Sequence, residues 1–491
     1  MFRKTRVKIP HGLLKFPGML YNKHETLPEN LQIICWPGCD SDFGTEVLSM
    51  NFDVIPKEAV SVFDRLVSRG LEAFFVGGCV RDILRGTPPH DWDITTNATP
   101  EQMKECFAGL RIIETGIKHG TLTVVSGGRS FEVTTYRVDG KYEDNRRPSE
   151  VYFTRNLRDD LSRRDFTINA MAYAPGYGLV DIFGGREDIE QKVVRCVGSP
   201  DLRFHEDGLR ILRALRFASV LDFSIEPDTA RSIHENRSLL KNIAAERVRD
   251  EFFRLITGPG AGRVLLEFRD VISEFIPEIR PAEGLEQNAL DIYTRSVRAV
   301  AAEERGDVYV RLALFFHGIA ACGAWEQQGG CSQGHEDHGA ELSETVLRRL
   351  RADNRTISTV KCLIRAYHTE IPGNEREMRR LLASLGEQNT RRLLSLRRAA
   401  LAQKSGNAQA ELEKITTAGV LLEGVLSAGC CLSLSELAID GEDLIRLGMR
   451  PGRRIGKLLS ELLDEVIDGK LPNEREALLR AAEKKINKVV K

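Results

Sequence analysis

The stretch at residues 73–95, AFFVGGCVRDILRGTPPHDWDIT, contains the pattern that decides the fold. Residues 73–76 form a short apolar run with aromatic and β-branched side chains, which predicts a buried strand. Gly77 and Gly78 follow it, as expected where a backbone turns sharply or approaches a ligand closely. Residues 80–84 predict the start of a helix, whose free N–H groups can hold a phosphate.

A second predicted strand carries Asp91 and Asp93. Side chains at positions i and i+2 of a strand point to the same face, so both carboxylates can reach one site. Two convergent carboxylates are costly unless a cation neutralises them, and oxygen ligands of this kind suit Mg²⁺. Taken alone, such a pair is more often solvated in a turn. The Gly-Gly turn upstream and the adjacent pair Arg81 and Asp82 make the magnesium interpretation much more specific.

Length and composition limit the possible architectures and partners. A chain of 491 residues is too long for one core and predicts three or four domains. Lys+Arg is 70 against Asp+Glu 71, so any RNA contact must depend on local basic patches rather than on the net charge. No apolar run is long enough to span a bilayer, and the N-terminus lacks the apolar core of a signal peptide. We therefore expect a cytoplasmic protein without a membrane partner.

The cysteines show no zinc-ligand spacing. Ten are scattered along the chain, apart from the pair Cys35 and Cys39 and the adjacent Cys430 and Cys431. Free thiols in a reducing cytosol are the interpretation that we prefer.

The segment from residue 56 to residue 136 extends the first pattern. Residues 56–69 predict a helix, and Thr99 followed by Pro100 predicts the start of another helix at about residues 100–107. Residues 121–125 and 130–136 predict a hairpin joined at Gly127 and Gly128. Glu132 is the carboxylate of the second hairpin strand, between apolar neighbours that face the other way. The polar run at residues 139–148 predicts a mobile loop.

Two further segments carry arginines and carboxylates in pairs. The segment at residues 159–173 is DDLSRRDFTINAMAY. Its Arg163 and Arg164 offer forked hydrogen-bond donors for a phosphate, and Asp165 could accept a hydrogen bond from a ribose hydroxyl. Asn169 follows Asp165 by one predicted helical turn. A surface ion pair on a helix is the alternative for this segment.

Residues 203–218, RFHEDGLRILRALRFA, predict one continuous helix carrying Glu206, Asp207, Arg210 and Arg213. On such a helix Asp207 and Arg210 share a face, and Glu206 and Arg210 form an i,i+4 pair. A carboxylate beside a guanidinium presents a hydrogen-bond acceptor next to a donor. An ordinary surface salt bridge is the alternative.

These motifs, in this order, resemble the nucleotidyltransferase superfamily, in particular the class II tRNA nucleotidyltransferases (CCA-adding enzymes) and the bacterial poly(A) polymerases. The resemblance spans about residues 53–487. It implies an α+β fold, in which a nucleotidyltransferase head with a mixed five-stranded sheet precedes all-α neck, body and tail domains. The implied domains are an uncharacterised extension at 1–52, the catalytic head at 53–195, the neck at 196–280, the body at 281–403 and the tail at 404–491.

The resemblance also implies roles for individual residues. Asp91 and Asp93 would hold two Mg²⁺ ions, with Glu132 as the third catalytic carboxylate. The implied nucleotide-binding residues are Gly77, Gly78, Arg81, Arg163, Arg164, Asp165, Asn169, Asp207, Arg210 and Arg213. The base-recognition helix is the one at residues 203–218, whose Asp207 and Arg210 would complement the Watson–Crick edges of cytosine and adenine. The helix at residues 244–256, with Glu251, would support it. In the tail, the resemblance implies RNA binding by Arg450, Arg453, Arg454 and Lys457.

A region at residues 290–370 is similar to the metal-binding HD phosphohydrolase domain of some bacterial relatives. The positions of His317, His335 and His368 agree with that pattern, but Gly318 stands where its aspartate should be. We therefore expect a degenerate, structural body domain, in which His335 and His338 have a solvated or capping role rather than binding zinc.

The resemblance implies an enzyme that adds CCA, from CTP and ATP, to the 3′ end of tRNA without a nucleic-acid template. The loop at 139–148 argues against an enzyme that adds only CC, and the tail favours tRNA over poly(A) synthesis. The alternatives are an A-adding tRNA nucleotidyltransferase or a poly(A) polymerase, and, from another class, an HD-type phosphohydrolase. The sequence leaves the oligomeric state open.

Overall fold

The computed structural model describes residues 54–140, 142–143, 147–148, 151–282, 286–287, 290–328, 335–401 and 408–489. The predicted extension at 1–52, with Cys35 and Cys39, lies outside these ranges, as do residues 141 and 144–146 of the predicted loop at 139–148. Within that predicted loop, Tyr142–Glu143 pairs antiparallel with Arg147–Pro148, so its described part includes a short hairpin. Two compact units make up the chain. The first comprises Met1–Ala214 and Phe223–Asn242, and the second comprises Leu215–Asp222 and Ile243–Lys491. Among the helices of the described ranges, none combines the length and apolar character needed to cross a membrane.

The strands of the described residues, in chain order, are β1 Ala73–Val76, β2 Asp93–Thr96, β3 Arg111–Ile113, β4 Thr121–Ser126, β5 Arg129–Thr135, β6 Arg137–Asp139, β7 Tyr142–Glu143, β8 Arg147–Pro148, β9 Val151–Phe153, β10 Met171–Ala174, β11 Gly178–Asp181, β12 Val193–Val194, β13 Ser224–Ile225, β14 Glu286–Gln287 and β15 Leu290–Asp291.

The helices of the described residues are α1 Lys57–Val67, α2 Gly78–Leu84, α3 Pro100–Cys106, α4 Leu157–Ser162, α5 Gly185–Glu190, α6 Pro200–Glu206, α7 Leu209–Val220, α8 Pro227–Asn236, α9 Ala245–Thr257, α10 Ala261–Glu267, α11 Arg269–Phe275, α12 Ile292–Ala301, α13 Val308–Gln328, α14 His335–Arg349, α15 Asn354–Arg365, α16 Glu375–Leu401, α17 Ala408–Ser427, α18 Gly441–Arg446, α19 Arg453–Ile467 and α20 Arg475–Val489.

The first unit is built on a seven-stranded mixed sheet in the order β11-β10-β1-β2-β5-β4-β3. The α+β prediction is confirmed, but the expected number of five strands is wrong. The strands β10 and β11 extend the sheet beyond β1, and β3 pairs with β4 at the other edge. Within the sheet, β2 lies antiparallel to β1 and parallel to β5.

The predicted local elements at the start of the chain are confirmed. Helix α1 buries Val62, Phe63 and Leu66, and the Phe63 ring stacks on that of Phe75 in β1 at 5.4 Å between centroids. Thr99 begins α3 with a capping box. Gly127 and Gly128, both at positive φ, form the two-residue turn between β4 and β5. The contact between Phe63 and Phe75 packs α1 against the sheet.

The cysteines of the described residues are consistent with the expected free thiols. Cys79, Cys106 and Cys196 are buried and free, and so is Cys431, whereas Cys362 and Cys430 are free and half-buried. Burial raises the pKa of Cys79 to about 12, so this thiol stays protonated at neutral pH.

The second unit is helical and centres on packed aromatic rings. The Phe315 ring of α13 lies within 6.1 Å, between centroids, of the rings of Phe252, Tyr293 and Phe316. Edge-to-face contacts of this kind stabilise a core beyond the area that they bury. The tail helices α18, α19 and α20 share a smaller apolar cluster that includes Leu444, Leu462 and Leu478.

The HD-like region has no room for the carboxylate that its relatives use. A Cβ atom at Gly318 would lie 1.9 Å from the Ser296 hydroxyl oxygen of α12, so no side chain fits there. The His317 ring instead stacks on Tyr367 at 3.8 Å between centroids, and His368 pairs with Glu336 at 3.4 Å. His338 is exposed, and the His335 side chain lies outside the described residues. These contacts support the expected structural role of the region.

A buried ion pair links several helices of the second unit. Arg311 of α13 is 4% exposed and donates to the Glu303 carboxylate at 3.1 Å and to the carbonyls of Ile256 and Gly258 at 2.8 and 2.7 Å. Glu303 also accepts from the backbone N–H of Gly306 at 2.8 Å. This pair therefore ties the end of α9 to the turn before α13.

We expect Glu303→Ala to destabilise the folded chain by about 3–5 kcal/mol, because it leaves the Arg311 guanidinium buried without its carboxylate. The measurement is urea unfolding followed by circular dichroism. Glu476→Ala is the control, because it breaks an exposed pair with Arg480 on one helix and should leave the unfolding midpoint unchanged. Equal midpoints for the two variants would contradict the role given to Glu303.

Candidate active site

Strand pairing brings two of the three predicted carboxylates side by side. Asp93 is the first residue of β2 and the register partner of Glu132 in the parallel strand β5, so both side chains lie on one face of the sheet. Phe131 and Val133 are buried on the other face, as predicted. Asp91 lies before β2 rather than in it, which corrects the prediction that the strand carries both aspartates.

Between the two aspartates, Trp92 anchors the segment. It is 6% exposed, and its ring packs edge-on against Phe75 of β1 at 5.6 Å between centroids. The buried indole fixes the backbone that leads into β2, and Asp91 and Asp93 stand on either side of it in the chain.

The electrostatics of the site favour a bound cation. Burial, followed by the neighbouring charges of Glu132 and Asp91, raises the pKa of Asp93 to about 6, although Arg164 opposes this shift. A divalent ion would relieve this repulsion. Across the described ranges, no three His, Cys, Asp or Glu side chains are grouped as a ready metal site. Mg²⁺ is commonly held by one or two carboxylates together with substrate phosphates, so Asp91 and Asp93 fit it.

The Gly-Gly turn adjoins this face. Gly77 is the residue before α2 and has φ 77°, a conformation that favours glycine, and a Cβ there would lie 3.1 Å from Arg164 Nη1. One turn later, Arg81 donates to Asp82 at 2.9 Å and to the Asn169 side-chain oxygen at 2.7 Å. The Arg81 guanidinium is therefore held in place by protein groups.

A continuous hydrogen-bond network extends from Arg81 to α7. The Asn169 amide donates to Asp165 Oδ1 at 3.2 Å, and Arg213 donates twice to Asp165 Oδ2, at 2.8 and 2.5 Å. Burial opposes the ionisation of Asp165, but Arg213, with Arg210 and Asn169, lowers its pKa to about 2. The structure thus joins four of the predicted nucleotide-binding residues. The contact of Asp165 with a ribose hydroxyl stays a prediction.

The segment with the two adjacent arginines is not one helix, which corrects the sequence interpretation. Helix α4 ends at Ser162, and Arg163, Arg164 and Asp165 follow it in a turn. The reason is pairing outside the helix: Phe166 bridges to Cys196, and the Asp165 carbonyl accepts from the backbone N–H of Val197 at 3.1 Å. Asn169 therefore reaches Asp165 across a turn and not along a helix.

The predicted base-recognition helix is also broken. Helix α6 ends at Glu206, and α7 begins at Leu209, because the Asp207 carboxylate accepts from the Leu209 N–H at 3.0 Å and starts the second helix. The predicted pair of Glu206 with Arg210 is confirmed at 2.5 Å. Arg210 is 9% exposed and also donates to the Arg163 carbonyl at 2.9 Å. Its guanidinium is fixed on two sides.

Within the second unit, Glu251 supports the later half of α7, as predicted. Glu251 of α9 is 8% exposed and pairs with Arg216, whose guanidinium lies 3.9 Å from the Phe217 ring centroid. This is a structural role for the carboxylate.

The predicted RNA-binding residues of the tail are grouped at one helix start. Arg453, Arg454 and Lys457 lie in the first turns of α19, and Arg450 precedes it; all four are exposed. Gly452, at φ 152°, forms the turn between them. The N–H groups of a helix start together with side-chain cations suit a phosphate.

The sequence interpretation missed Asp160. This residue is 0% exposed and holds Arg163 at 2.6 Å and Arg164 at 3.3 Å. The signal was present, because the two arginines stand three and four residues after it. Burial of the carboxylate could not be read from that spacing.

Three family models match the chain. Residues 73–195 match the poly A polymerase head domain, and residues 222–282 match the probable RNA and SrmB-binding site of polymerase A. Residues 337–482 match the putative domain 2 of tRNA nucleotidyltransferase. The matches therefore extend from the predicted catalytic carboxylates to the tail.

Curated relatives and solved structures agree with these matches. The CCA-adding enzyme of Lactobacillus delbrueckii subsp. bulgaricus is 35% identical over 421 residues, which cover 86% of this chain and 96% of the relative. That of Enterococcus faecalis is 34% identical over 444 residues, which cover 89% and 99%. The Bacillus stearothermophilus CCA-adding enzyme, solved in complex with CTP, superposes with a TM-score of 0.66 at 30% identity and covers 88% of this chain and 98% of that one. The chain therefore belongs to the family of CCA-adding enzymes.

Proposed function

We propose that this protein adds CCA, from CTP and ATP, to the 3′ end of tRNA without a nucleic-acid template. The observation that carries the proposal is the register of Asp93 with Glu132, next to Asp91 and the Gly77 turn. This pairing gives a carboxylate face beside a glycine turn. Membership of the CCA-adding family along most of the chain supplies the substrate class.

Asp91 and Asp93 would hold two Mg²⁺ ions, with Glu132 completing the carboxylate face. When bound, such ions supply acidification of the RNA 3′-hydroxyl and neutralisation of the leaving pyrophosphate. The protein's own part is to keep the carboxylates on one face and the triphosphate next to them. Gly77, Gly78 and Arg81 would contact the triphosphate from the start of α2.

The base would be selected by protein groups that are fixed before the nucleotide arrives. The Asp207 carboxylate would accept from the exocyclic amine of cytosine or adenine, and the Arg210 guanidinium would donate to the adjacent ring nitrogen. Guanine and uracil present a carbonyl and an N–H at these positions and would leave groups unpaired. Each unpaired buried group costs about 1–3 kcal/mol, which is enough to reject the wrong base. Arg210 needs no reorganisation, because Glu206 and the Arg163 carbonyl already hold it.

The exposed cations Arg450, Arg453, Arg454 and Lys457 would contact phosphates of the tRNA. Such contacts position the RNA without reading its sequence. They also explain how a chain with a net charge of −1 binds a polyanion.

The products formed when each nucleotide is supplied alone test the proposal. With a tRNA transcript that ends before CCA, we expect CTP alone to add two residues, ATP alone to add none, and both together to add three residues and stop. Denaturing gels with end-labelled tRNA measure this. Long A tails would indicate a poly(A) polymerase, and addition only to transcripts ending in CC would indicate an A-adding enzyme.

Asp91→Ala should lower incorporation of both nucleotides by at least about 1,000-fold, because the metal ions lose a ligand that they need in the transition state. The dissociation constant for tRNA, measured by filter binding, should stay within about twofold, since phosphate contacts dominate RNA affinity. Asp228→Asn, on the exposed surface of α8, is the matched control and should act like the wild type. Substantial turnover by Asp91→Ala would refute the assignment.

The raised pKa of Asp93 predicts a pH-dependent cost to stability. The folded chain keeps this proton up to about pH 6, whereas an ordinary Asp loses it near pH 3.8. The folded state therefore binds the proton more tightly, and the contribution of Asp93 to stability falls as the pH rises from about 4 to above 6. In EDTA at pH 8, Asp93→Asn should be more stable than the wild type by on the order of 2 kcal/mol.

Urea unfolding at pH 5 and pH 8, with EDTA and with MgCl2, measures this effect. The stabilising effect of Asp93→Asn should shrink at pH 5, and Mg²⁺ should stabilise the wild type more than the variant. A wild type that is the more stable protein in EDTA at pH 8 would contradict the electrostatic picture of the site.

A further inference from the structure

Asp160 occupies a position that connects the two sides of the proposed site. Its side chain is fully buried at the end of α4. Oδ1 accepts from Arg163 Nε at 3.0 Å and Nη2 at 2.6 Å, and Oδ2 accepts from Arg164 Nη2 at 3.3 Å. Oδ2 also accepts from the hydroxyl of Thr95 at 3.2 Å. One carboxylate thus holds two arginines and one residue of β2.

The contact with Thr95 fixes Asp160 relative to the catalytic carboxylates. Thr95 follows Asp93 by two positions in β2, so both side chains lie on the same face of the sheet. Asp160 is therefore attached to the face that presents Asp93 and Glu132. The point of attachment is Thr95, which pairs with Thr134, the next pair on that face. This attachment makes the positions of the two arginines depend on the position of β2.

The two arginines lead in different directions. Arg164 Nη1 stands 3.1 Å from the Cβ position of Gly77, at the turn proposed for the triphosphate. Arg163 turns its carbonyl to Arg210, the proposed base-reading residue, which donates to it at 2.9 Å. Asp160 thus reaches each side of the proposed site through one arginine.

The Arg164 guanidinium lies between two carboxylates, those of Asp160 and Asp93. Arg164 lies close enough to Asp93 to interact with its carboxylate. Arg164 Nε is buried and has no hydrogen-bond partner among the described residues, so Asp160 is the group that orients this guanidinium. Without the Asp160 charge, Arg164 would turn toward Asp93 and compete with the cation for that carboxylate.

We propose that Asp160 is a positioning residue for nucleotide binding, which holds Arg164 at the Gly77 turn and the Arg163 carbonyl under Arg210. The inference rests on the proposed function and adds to it a residue that touches neither the nucleotide nor the metal. It acts on CTP and ATP alike, because both nucleotides have the same triphosphate and both bases present an amine beside a ring nitrogen.

The test measures CTP and ATP binding to the full chain by calorimetry, and KM and kcat in the tRNA extension assay. Asp160→Asn keeps the shape and removes the charge. We expect the dissociation constants and KM for both nucleotides to rise about tenfold or more, as for the loss of a charge-assisted pair. The tRNA dissociation constant should stay within about twofold of the wild type, because phosphate contacts elsewhere set RNA affinity.

Asp443→Asn is the matched control. Asp443 is likewise a buried carboxylate between two arginines, Arg446 three residues later and Arg475, but it belongs to the second unit. The Asp443→Asn variant should have a lower melting temperature than the wild type, and its dissociation constant for CTP should stay within about twofold. The reason is that Asp443 shares with Asp160 only a contribution to stability. An equal loss of CTP binding in both variants would overturn the inference, as would wild-type CTP binding by Asp160→Asn.

If Asp160→Asn does not fold, Thr95→Val decides the question. This change keeps volume and charge and removes the hydroxyl, whose one proton lies between Asp160 at 3.2 Å and the Thr134 carbonyl at 3.3 Å. We expect it to weaken CTP binding about threefold to tenfold, in line with one lost hydrogen bond, and unchanged binding would overturn the inference. A wild type that neither binds CTP nor extends tRNA would instead refute the proposed function.

Discussion

The parallel pairing of β2 with β5 is the constraint on which the site depends. It sets Asp93 directly beside Glu132, with Asp91 two residues away in the chain. Neighbouring carboxylates repel one another, and the pKa of the half-buried Asp93 is raised first by its burial and then by this repulsion. A fold keeps such an arrangement only where a cation or a substrate offsets the repulsion. The repulsion between these carboxylates therefore lies where the chemistry is proposed to occur.

Around this face, the arginines are fixed by carboxylates and amides rather than left to find the nucleotide. Arg81 is held by Asn169, Arg213 by Asp165, and Arg164 by Asp160. Side chains that are already ordered lose little conformational entropy when a ligand binds. Such preorganisation is what recognition of a base by protein requires, because a mobile guanidinium would adapt to guanine or uracil as readily as to cytosine.

The helical second unit uses the same device for stability. Arg311 with Glu303, and Arg216 with Glu251, are buried pairs whose remaining donors reach backbone carbonyls or aromatic faces. Pairs of this kind contribute less through their own attraction than through the penalty for removing one partner. The fit of Gly318 against Ser296 shows that the region similar to phosphohydrolases is packed as a core.

The sequence by itself determined the elements whose cause is local: the strand and Gly-Gly turn at 73–78, the capped helix at Thr99, the hairpin at Gly127 and the pair of Glu206 with Arg210. It also determined the family, because motif residues stand at fixed spacings. Tertiary structure alone decided the rest. Strands β3, β10 and β11 joined the edges of the sheet in addition to the four strands predicted segment by segment. A bridge from Phe166 to Cys196 ended the helix before Asp165, and an Asp207 cap divided the predicted helix at 203–218. Each of these depends on partners distant in the chain or on a competing backbone hydrogen bond, and helical periodicity carries no information about either. Asp160 shows the same limit: its spacing to two arginines was visible, but only burial against Thr95 distinguishes it from a surface ion pair.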